Sequence, residues 1–111
     1  MEYHPTIKEL RDFTMAKIAK GQPGVIRRFY DESLEVERKD LKNDLRLAVA
    51  KREDDDGLTI FVRYSATPDE NVVYHPCDVP QTKEIIQAFI EIPSAADLSP
   101  IMFIQRIQPR P

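Results

Sequence analysis

The first apolar pattern in the chain is helical. Ile7, Leu10 and Ile18 recur at helical spacing and fall on one face. Thr6 can cap this segment, because a glutamate three positions later completes a capping box. The pattern therefore predicts a helix over residues 6 to 20. The Gly-Gln-Pro-Gly run that follows ends it, since glycine tolerates the left-handed cap conformation and proline cannot continue the helical hydrogen bonding.

Residues 25 to 44 admit two interpretations. A single long helix would place Glu37 and Asp44 inside an arc that is otherwise apolar. Two short strands, over 25 to 30 and 33 to 38, avoid this conflict. The pattern favours the two strands, and the helical alternative stays open.

The best strand pattern is an alternation of apolar and polar residues on either side of an Asp-Asp-Asp-Gly run. Such a run is typical of a hairpin turn. The apolar positions are Leu45, Leu47 and Val49 before the turn and Leu58, Ile60, Val62 and Tyr64 after it. A second turn at 67 to 71 then leads into a short strand at 72 to 74, which predicts an antiparallel meander.

A second helix is predicted over residues 79 to 91. Asp78 can act as its N-cap, and an apolar face formed by Ile85, Ile86, Phe89 and Ile90 can pack on the sheet. The β-branched, apolar run at 101 to 107 predicts a last strand, which would be parallel to a direct neighbour after a right-handed crossover. The fold class is therefore α+β, with an N-terminal helix, a mainly antiparallel β-meander, a second helix packed on the sheet and a C-terminal strand.

Composition predicts the number of domains and the cellular compartment. The 111 residues, 41% hydrophobic and 32% charged, fit one domain over 1 to 111, with 108 to 111 as an extended tail. The single cysteine, Cys77, cannot form an internal disulfide, and with two histidines it gives no zinc framework. The first residues lack the basic and apolar regions of a signal peptide. These features predict a cytoplasmic protein.

Charge is distributed unevenly along the chain. Residues 1 to 28 carry six Lys and Arg against three acids, and residues 100 to 111 carry two Arg and no acid. Residues 29 to 99 hold eight basic and sixteen acidic residues, a net charge of −8. Basic ends that met in the fold would form a charged face, and Arg27 and Arg28 beside two aromatic residues are typical of a surface that binds single-stranded nucleic acid. The acidic middle could instead imitate nucleic acid.

Candidate chemistry is confined to one loop and one turn. His75 and Cys77 lie just before the second helix, where a helix N-terminus could lower a thiol pKa, although the adjacent Asp78 would raise it. The acidic run 53 to 56 matches no calcium loop, and a solvated hairpin tip is the favoured interpretation. No phosphate-loop, dinucleotide or zincin motif is present, so we expect no cofactor and no metal.

The sequence therefore favours a non-enzymatic protein-binding regulator, inhibitor or assembly factor that acts through a sheet edge or charged face. The partner is another protein or a second copy in a homodimer, with no membrane involved. A nucleic-acid-binding protein and a small enzyme using His75 and Cys77 are the alternatives. The candidate binding surface comprises Arg27, Arg28, Phe29, Tyr30, His75, Cys77, Arg106 and Arg110.

Overall fold

A computed structural model describes residues 5–18, 21–64 and 72–107 of the chain. These residues form three helices and five strands. In chain order they are α1 (Pro5–Lys17), β1 (Val25–Tyr30), β2 (Ser33–Arg38), β3 (Leu45–Lys51), β4 (Leu58–Tyr64), β5 (Val72–Cys77), α2 (Val79–Ile90) and α3 (Pro100–Ile107). The expected turn at 67 to 71 and the expected tail at 108 to 111 lie outside the described residues.

The five strands form one antiparallel meander in the order β1-β2-β3-β4-β5. The β3-β4 hairpin is confirmed, with Leu47 opposite Val62. The two-strand interpretation of the preceding segment is also confirmed, because β1 and β2 pair from Val25 opposite Arg38 to Tyr30 opposite Ser33. Sequential pairing places β1 at one edge of the sheet and β5 at the other.

One face of the sheet carries the core. Alternate residues of β2, β3 and β4, among them Leu34, Leu47 and Ile60, are fully buried in a single cluster with residues from all three helices. Each fully buried side chain of this size contributes about 2 kcal/mol through removal of apolar surface from water. The opposite face carries residues such as Arg46 and Phe61, which are only partly buried. The α+β prediction is therefore confirmed, with helices on one side of an open-faced sheet.

The first helix begins earlier and ends earlier than predicted. Thr6 lies inside the first turn of α1, so the helix does not start with Thr6 as its N-cap. Gly21 and Gly24 both adopt positive φ, of 75° and 76°, in the connection to β1. The Gly24 carbonyl accepts a hydrogen bond of 2.7 Å from Lys39 N, which ties the start of β1 to the end of β2.

The second helix agrees with its prediction. The Asp78 carboxylate accepts a hydrogen bond of 2.7 Å from Gln81 N, and a proline follows within the first two helical positions. The helix buries Ile85, Ile86 and Phe89 against the sheet. Capping and amphipathic spacing therefore suffice to place this element.

The predicted C-terminal strand over 101 to 107 is wrong, and the segment is α3. Ser99 Oγ accepts a hydrogen bond of 3.1 Å from Met102 N, and Pro100 occupies the start of the helix, where its missing N–H costs nothing. Phe103 and Ile104 are buried, and the Phe103 ring meets Phe89 edge to face at 5.5 Å. The described residues consequently contain no parallel strand pair.

Candidate functional site

The structure places the predicted binding residues of β1 and β5 at opposite edges of the sheet. Arg27, Arg28, Phe29 and Tyr30 lie on β1. The predicted loop position of His75 and Cys77 is wrong, because β5 continues through Cys77 and includes both residues. Three strands separate these edges, a distance of about 19 Å at the usual strand spacing. Arg106 lies on α3, which packs against β4 and β5 and so lies away from β1, and the structure therefore does not bring Arg106 together with Arg27 and Arg28. Arg110 lies outside the described residues.

The β1 edge is the more open of the two. The four consecutive residues from Arg27 to Tyr30 are all exposed, with Phe29 at 37% and Tyr30 at 49%. Among the described strands β1 pairs only with β2, so its other side presents backbone N–H and C=O groups that lack a ladder partner. The strand contains no proline, and its whole length can pair.

The side chains of β1 alternate between the two faces of the sheet. Arg27 and Phe29 pair with Val36 and Leu34, so they lie on the face that carries the helices. Arg11 of α1 reaches this edge, because its guanidinium carbon lies 5.6 Å from the centroid of the Phe29 ring. Its Nη2 also donates to the Ser33 carbonyl at 3.4 Å. A cation from α1 therefore adds to the basic character of the edge.

The residues Arg28 and Tyr30 lie on the open face of the sheet. Arg28 Nη1 donates to Glu37 Oε1 at 3.2 Å, and the Glu37 side chain is only 2% exposed. Arg46 Nη2 approaches the other Glu37 oxygen at 3.8 Å and Nη1 approaches Glu35 at 3.4 Å. Ion pairs with arginines allow these two acids to sit on the sheet, since a buried carboxylate without a partner is costly. The Arg28 side chain nevertheless stays 42% exposed.

Sequence reasoning missed Arg11 and Glu37 as parts of this site. The signal for Glu37 was present, because Glu35 and Glu37 alternate with buried apolar residues and so share the open face of β2. Their pairing with Arg28 and Arg46 depends on strand register. Arg11 gave no local signal, since its contact with Phe29 joins α1 to a strand through tertiary packing.

The β5 edge does not assemble an activated thiol. Cys77 Sγ lies 2.8 Å from Thr82 Oγ1, and burial raises the pKa of the Cys77 thiol, with the adjacent Asp78 carboxylate adding to the rise. The His75 ring is exposed and stacks on Tyr74 with a centroid separation of 3.9 Å. A nucleophilic cysteine needs a lowered pKa, so the surroundings of Cys77 oppose that chemistry.

Two neighbouring cations, Lys51 and Arg52, pair with part of the acidic hairpin tip. Arg52 donates two hydrogen bonds to the Asp55 carboxylate, at 2.8 and 2.7 Å, and these lower the pKa of Asp55 to about 2. Lys51 Nζ lies 3.1 Å from the Asp56 carboxylate. The described part of the chain holds no group of His, Cys, Asp or Glu arranged for a metal ion. Asp55 and Asp56 therefore pair within the turn rather than act as free carboxylates.

A small cleft of about 290 Å³ lies between α2 and α3, where Gln81, Glu84, Ile85 and Ile107 line it. This volume is at the lower limit for a site that encloses a small molecule. The lining provides one carboxylate and one amide beside two apolar residues. Its chemistry does not indicate a particular ligand.

Comparison with known proteins gives no relative from which a function could be transferred. No protein-family model matches the chain, and neither a curated protein nor a solved structure shows significant similarity to it. In the part of the chain that the structure describes, no helix has the length and apolar character needed to cross a membrane.

Proposed function

We propose that the chain is a non-enzymatic protein-binding regulator, inhibitor or assembly factor that acts in the cytoplasm and binds its partner through the β1 edge. One observation carries this proposal: Arg27, Arg28, Phe29 and Tyr30 are consecutive, exposed and located on an edge strand. Backbone groups that lack a ladder partner favour the addition of a strand from another chain, and alternate side chains then set specificity.

The comparison of the two edges supports β1 as the binding edge. The β5 strand contains Pro76, whose missing N–H interrupts a ladder, and this residue is exposed. The β1 strand combines two arginines with two aromatic residues, residue types that are enriched at protein interfaces. A partner that adds a strand at β1 would therefore gain both backbone hydrogen bonds and side-chain contacts.

The surroundings of Cys77 support a non-enzymatic function. The thiol is half-buried, and burial raises its pKa by more than the hydrogen bond with Thr82 lowers it. The carboxylate that Arg28 of β1 contacts is Glu37, which is buried and also paired with Arg46. Recognition rather than bond-breaking chemistry is the function that these groups favour.

The test is an affinity capture from a lysate of the source organism, with and without nuclease, read by mass spectrometry. The bait is the wild-type chain, the Arg27→Glu variant or the Arg106→Glu variant. Arg106→Glu makes the same charge change on α3, which packs against β4 and β5. We expect a protein partner that resists nuclease, is retained by Arg106→Glu and is lost with Arg27→Glu.

Other outcomes separate the alternatives. A partner lost equally with both variants would indicate general electrostatic attraction and contradict binding at the β1 edge. Capture of nucleic acid, or of proteins that disappear after nuclease treatment, would instead favour the nucleic-acid-binding alternative. In that case binding should weaken steeply with salt, because each neutralised phosphate releases counterions.

A further inference from the structure

The proposed binding at the β1 edge leaves open what kind of strand is added. We infer that the β1 edge accepts an extended acidic segment of a different protein as a sixth, antiparallel strand, and that it rejects a second copy of itself. This inference rests on the proposed function and specifies the chemistry of the partner. Three features carry it: the register rules of self-pairing, the two arginines of β1 and the aromatic residues beside them.

Self-pairing of β1 is opposed by its own register. In an antiparallel two-fold pair, residues directly opposite each other must lie on the same face of the sheet. The two registers that pair most of β1 are therefore centred on Arg27 or on Arg28. Each of them places an arginine directly opposite the same arginine of the second copy. Like charges directly opposite are destabilising.

Registers that pair fewer residues of β1 do not stabilise a dimer either. A pair centred on Ile26 or Phe29 avoids the central arginine contact, but it leaves about half of the strand unpaired. Charged side chains on an edge strand are a common protection against association of identical chains. The two arginines of β1 therefore act against a second copy while leaving the backbone groups open to a partner of opposite charge.

The arginines can accept carboxylates on both faces of an added strand. Arg27 lies on the helix-covered face and Arg28 on the open face, because adjacent residues of a strand alternate. Arg27 is exposed and forms no ion pair within the described residues. Arg28 already contacts Glu37 but remains 42% exposed, and Arg46 also approaches the same carboxylate group. Two consecutive acids in a partner strand would meet both guanidinium groups.

In the inferred antiparallel pairing, the aromatic residues set the order of residue types in the partner's sequence. An antiparallel strand runs from a position opposite Tyr30 toward one opposite Val25. It therefore meets Tyr30 and Phe29 first and the two arginines next. Apolar side chains suit the first two positions, because aromatic residues pair favourably with β-branched neighbours across strands. The recognised pattern is two apolar residues followed by two acids.

The experiment uses the full chain and three synthetic peptides with blocked ends. The first peptide has two valines followed by two glutamates, flanked by threonines. The second replaces the glutamates with glutamines, and the third replaces the first glutamate, the one opposite Arg28, with lysine. Binding is measured by fluorescence polarisation, and the binding edge is located by amide chemical shifts in β1 and β5. Sedimentation of the free chain measures self-association.

We expect the acidic peptide to bind about tenfold more tightly than its glutamine counterpart, since two opposite-charge pairs are lost. The shifts should be concentrated in β1, and the free chain should sediment as a monomer. The Arg28→Glu variant should reverse the preference and favour the lysine peptide, while Arg106→Glu should leave all three affinities unchanged. Arg28→Gln serves as the milder substitution, because Arg28→Glu also places a second acid beside Glu37.

Failure of the inference can be told apart from failure of the proposed function. Equal binding of the acidic and glutamine peptides at β1 would retain strand addition but overturn the acidic preference. Sedimentation of the free chain as a dimer, together with amide shifts in β1, would contradict the inference that β1 rejects a second copy. If no peptide bound while capture gave a partner that is lost with Arg27→Glu, the inference of an acidic partner strand would be wrong. The proposed binding at the β1 edge would then be retained. Amide shifts confined to β5 would contradict both the inferred acidic strand and the proposed binding at the β1 edge.

Discussion

The guanidinium of Arg38 and the carboxylate of Asp40 form a bidentate ion pair, with Nε and Nη2 each 2.7 Å from a carboxylate oxygen. Arg38 is only 1% exposed. Its remaining donors reach the last turn of α2, where Nη1 donates to the carbonyls of Phe89 at 2.9 Å and Ile90 at 3.0 Å. Nη2 also donates to the Ile92 carbonyl at 2.7 Å. One side chain thus joins the end of β2 to the C-terminus of a helix, where a cation is favoured.

Replacement of Arg38 should therefore destabilise the fold strongly. Arg38→Ala removes the hydrogen bonds that this side chain donates to the Phe89, Ile90 and Ile92 carbonyls and leaves the Asp40 carboxylate without its cation. We expect a loss of about 3 kcal/mol or more in the free energy of unfolding, measured by urea denaturation. The adjacent Lys39→Ala is the control, because this side chain is exposed and its loss should change stability by less than about 0.5 kcal/mol. Equal effects of both substitutions would contradict the role given to Arg38.

The same pair predicts a loss of stability in acid. The hydrogen bonds from Arg38 lower the pKa of Asp40 from 3.8 to about 2. Because the folded-state pKa is depressed, the stabilisation is complete above the unfolded-state pKa and is lost as the pH falls through about 4 to 2. Its size is up to about 2 kcal/mol, from about 1.4 kcal/mol per unit of pKa.

The measurement compares the free energies of unfolding of wild type and Asp40→Asn across this pH range. The difference between them should shrink as the pH falls from about 4 to 2. Asp12→Asn, an exposed substitution on α1, serves as the control. A difference that stays constant down to pH 2 would show that the charge of Asp40 does not carry the effect.

The sequence predicts most of the strands because their patterns are local. The β1-β2 segment was favoured as two strands because a helix would place Glu37 in an apolar arc. Glu37 is indeed buried, but it lies on the open face of β2 with Arg28, which preserves the alternation of the strand. Period-two patterning therefore identified the element correctly, even though the burial of this acid depends on arginines of neighbouring strands.

The α3 segment shows where local preference misleads. The isoleucines of 101 to 107 favour a strand by propensity, but Pro100, Phe103 and Ile104 recur at helical spacing and are buried together. The contacts of Arg38 cannot be predicted from local sequence patterns, because the Phe89 carbonyl is 51 positions away along the chain. Long-range packing likewise sets which predicted site residues meet, and it separates Arg27 from His75.

Gly24 should tolerate alanine much less well than Gly21. Both residues have positive φ, so any side chain at either position adopts a strained backbone conformation. A Cβ at Gly24 would in addition lie 2.6 Å from Asp40 N, whereas one at Gly21 meets no atom within 4 Å. We expect Gly21→Ala to cost about 1 kcal/mol and Gly24→Ala at least about 1 kcal/mol more, measured by urea denaturation. Similar losses for both variants would show that backbone strain, not the contact with Asp40, decides the cost.

Cys77 should react slowly with alkylating reagents. Burial raises the pKa of the thiol by more than the hydrogen bond with Thr82 lowers it, and the Asp78 carboxylate adds to the rise, so little thiolate is available at neutral pH. Because the thiolate is the reactive species, we expect iodoacetamide to modify the folded chain several-fold more slowly than the same chain unfolded in urea. A free cysteine peptide under each solvent condition corrects for the effect of urea on the reagent. A folded-state rate above that of the free peptide would reverse the argument, because it would require a lowered thiol pKa. It would then favour a small enzyme that uses His75 and Cys77.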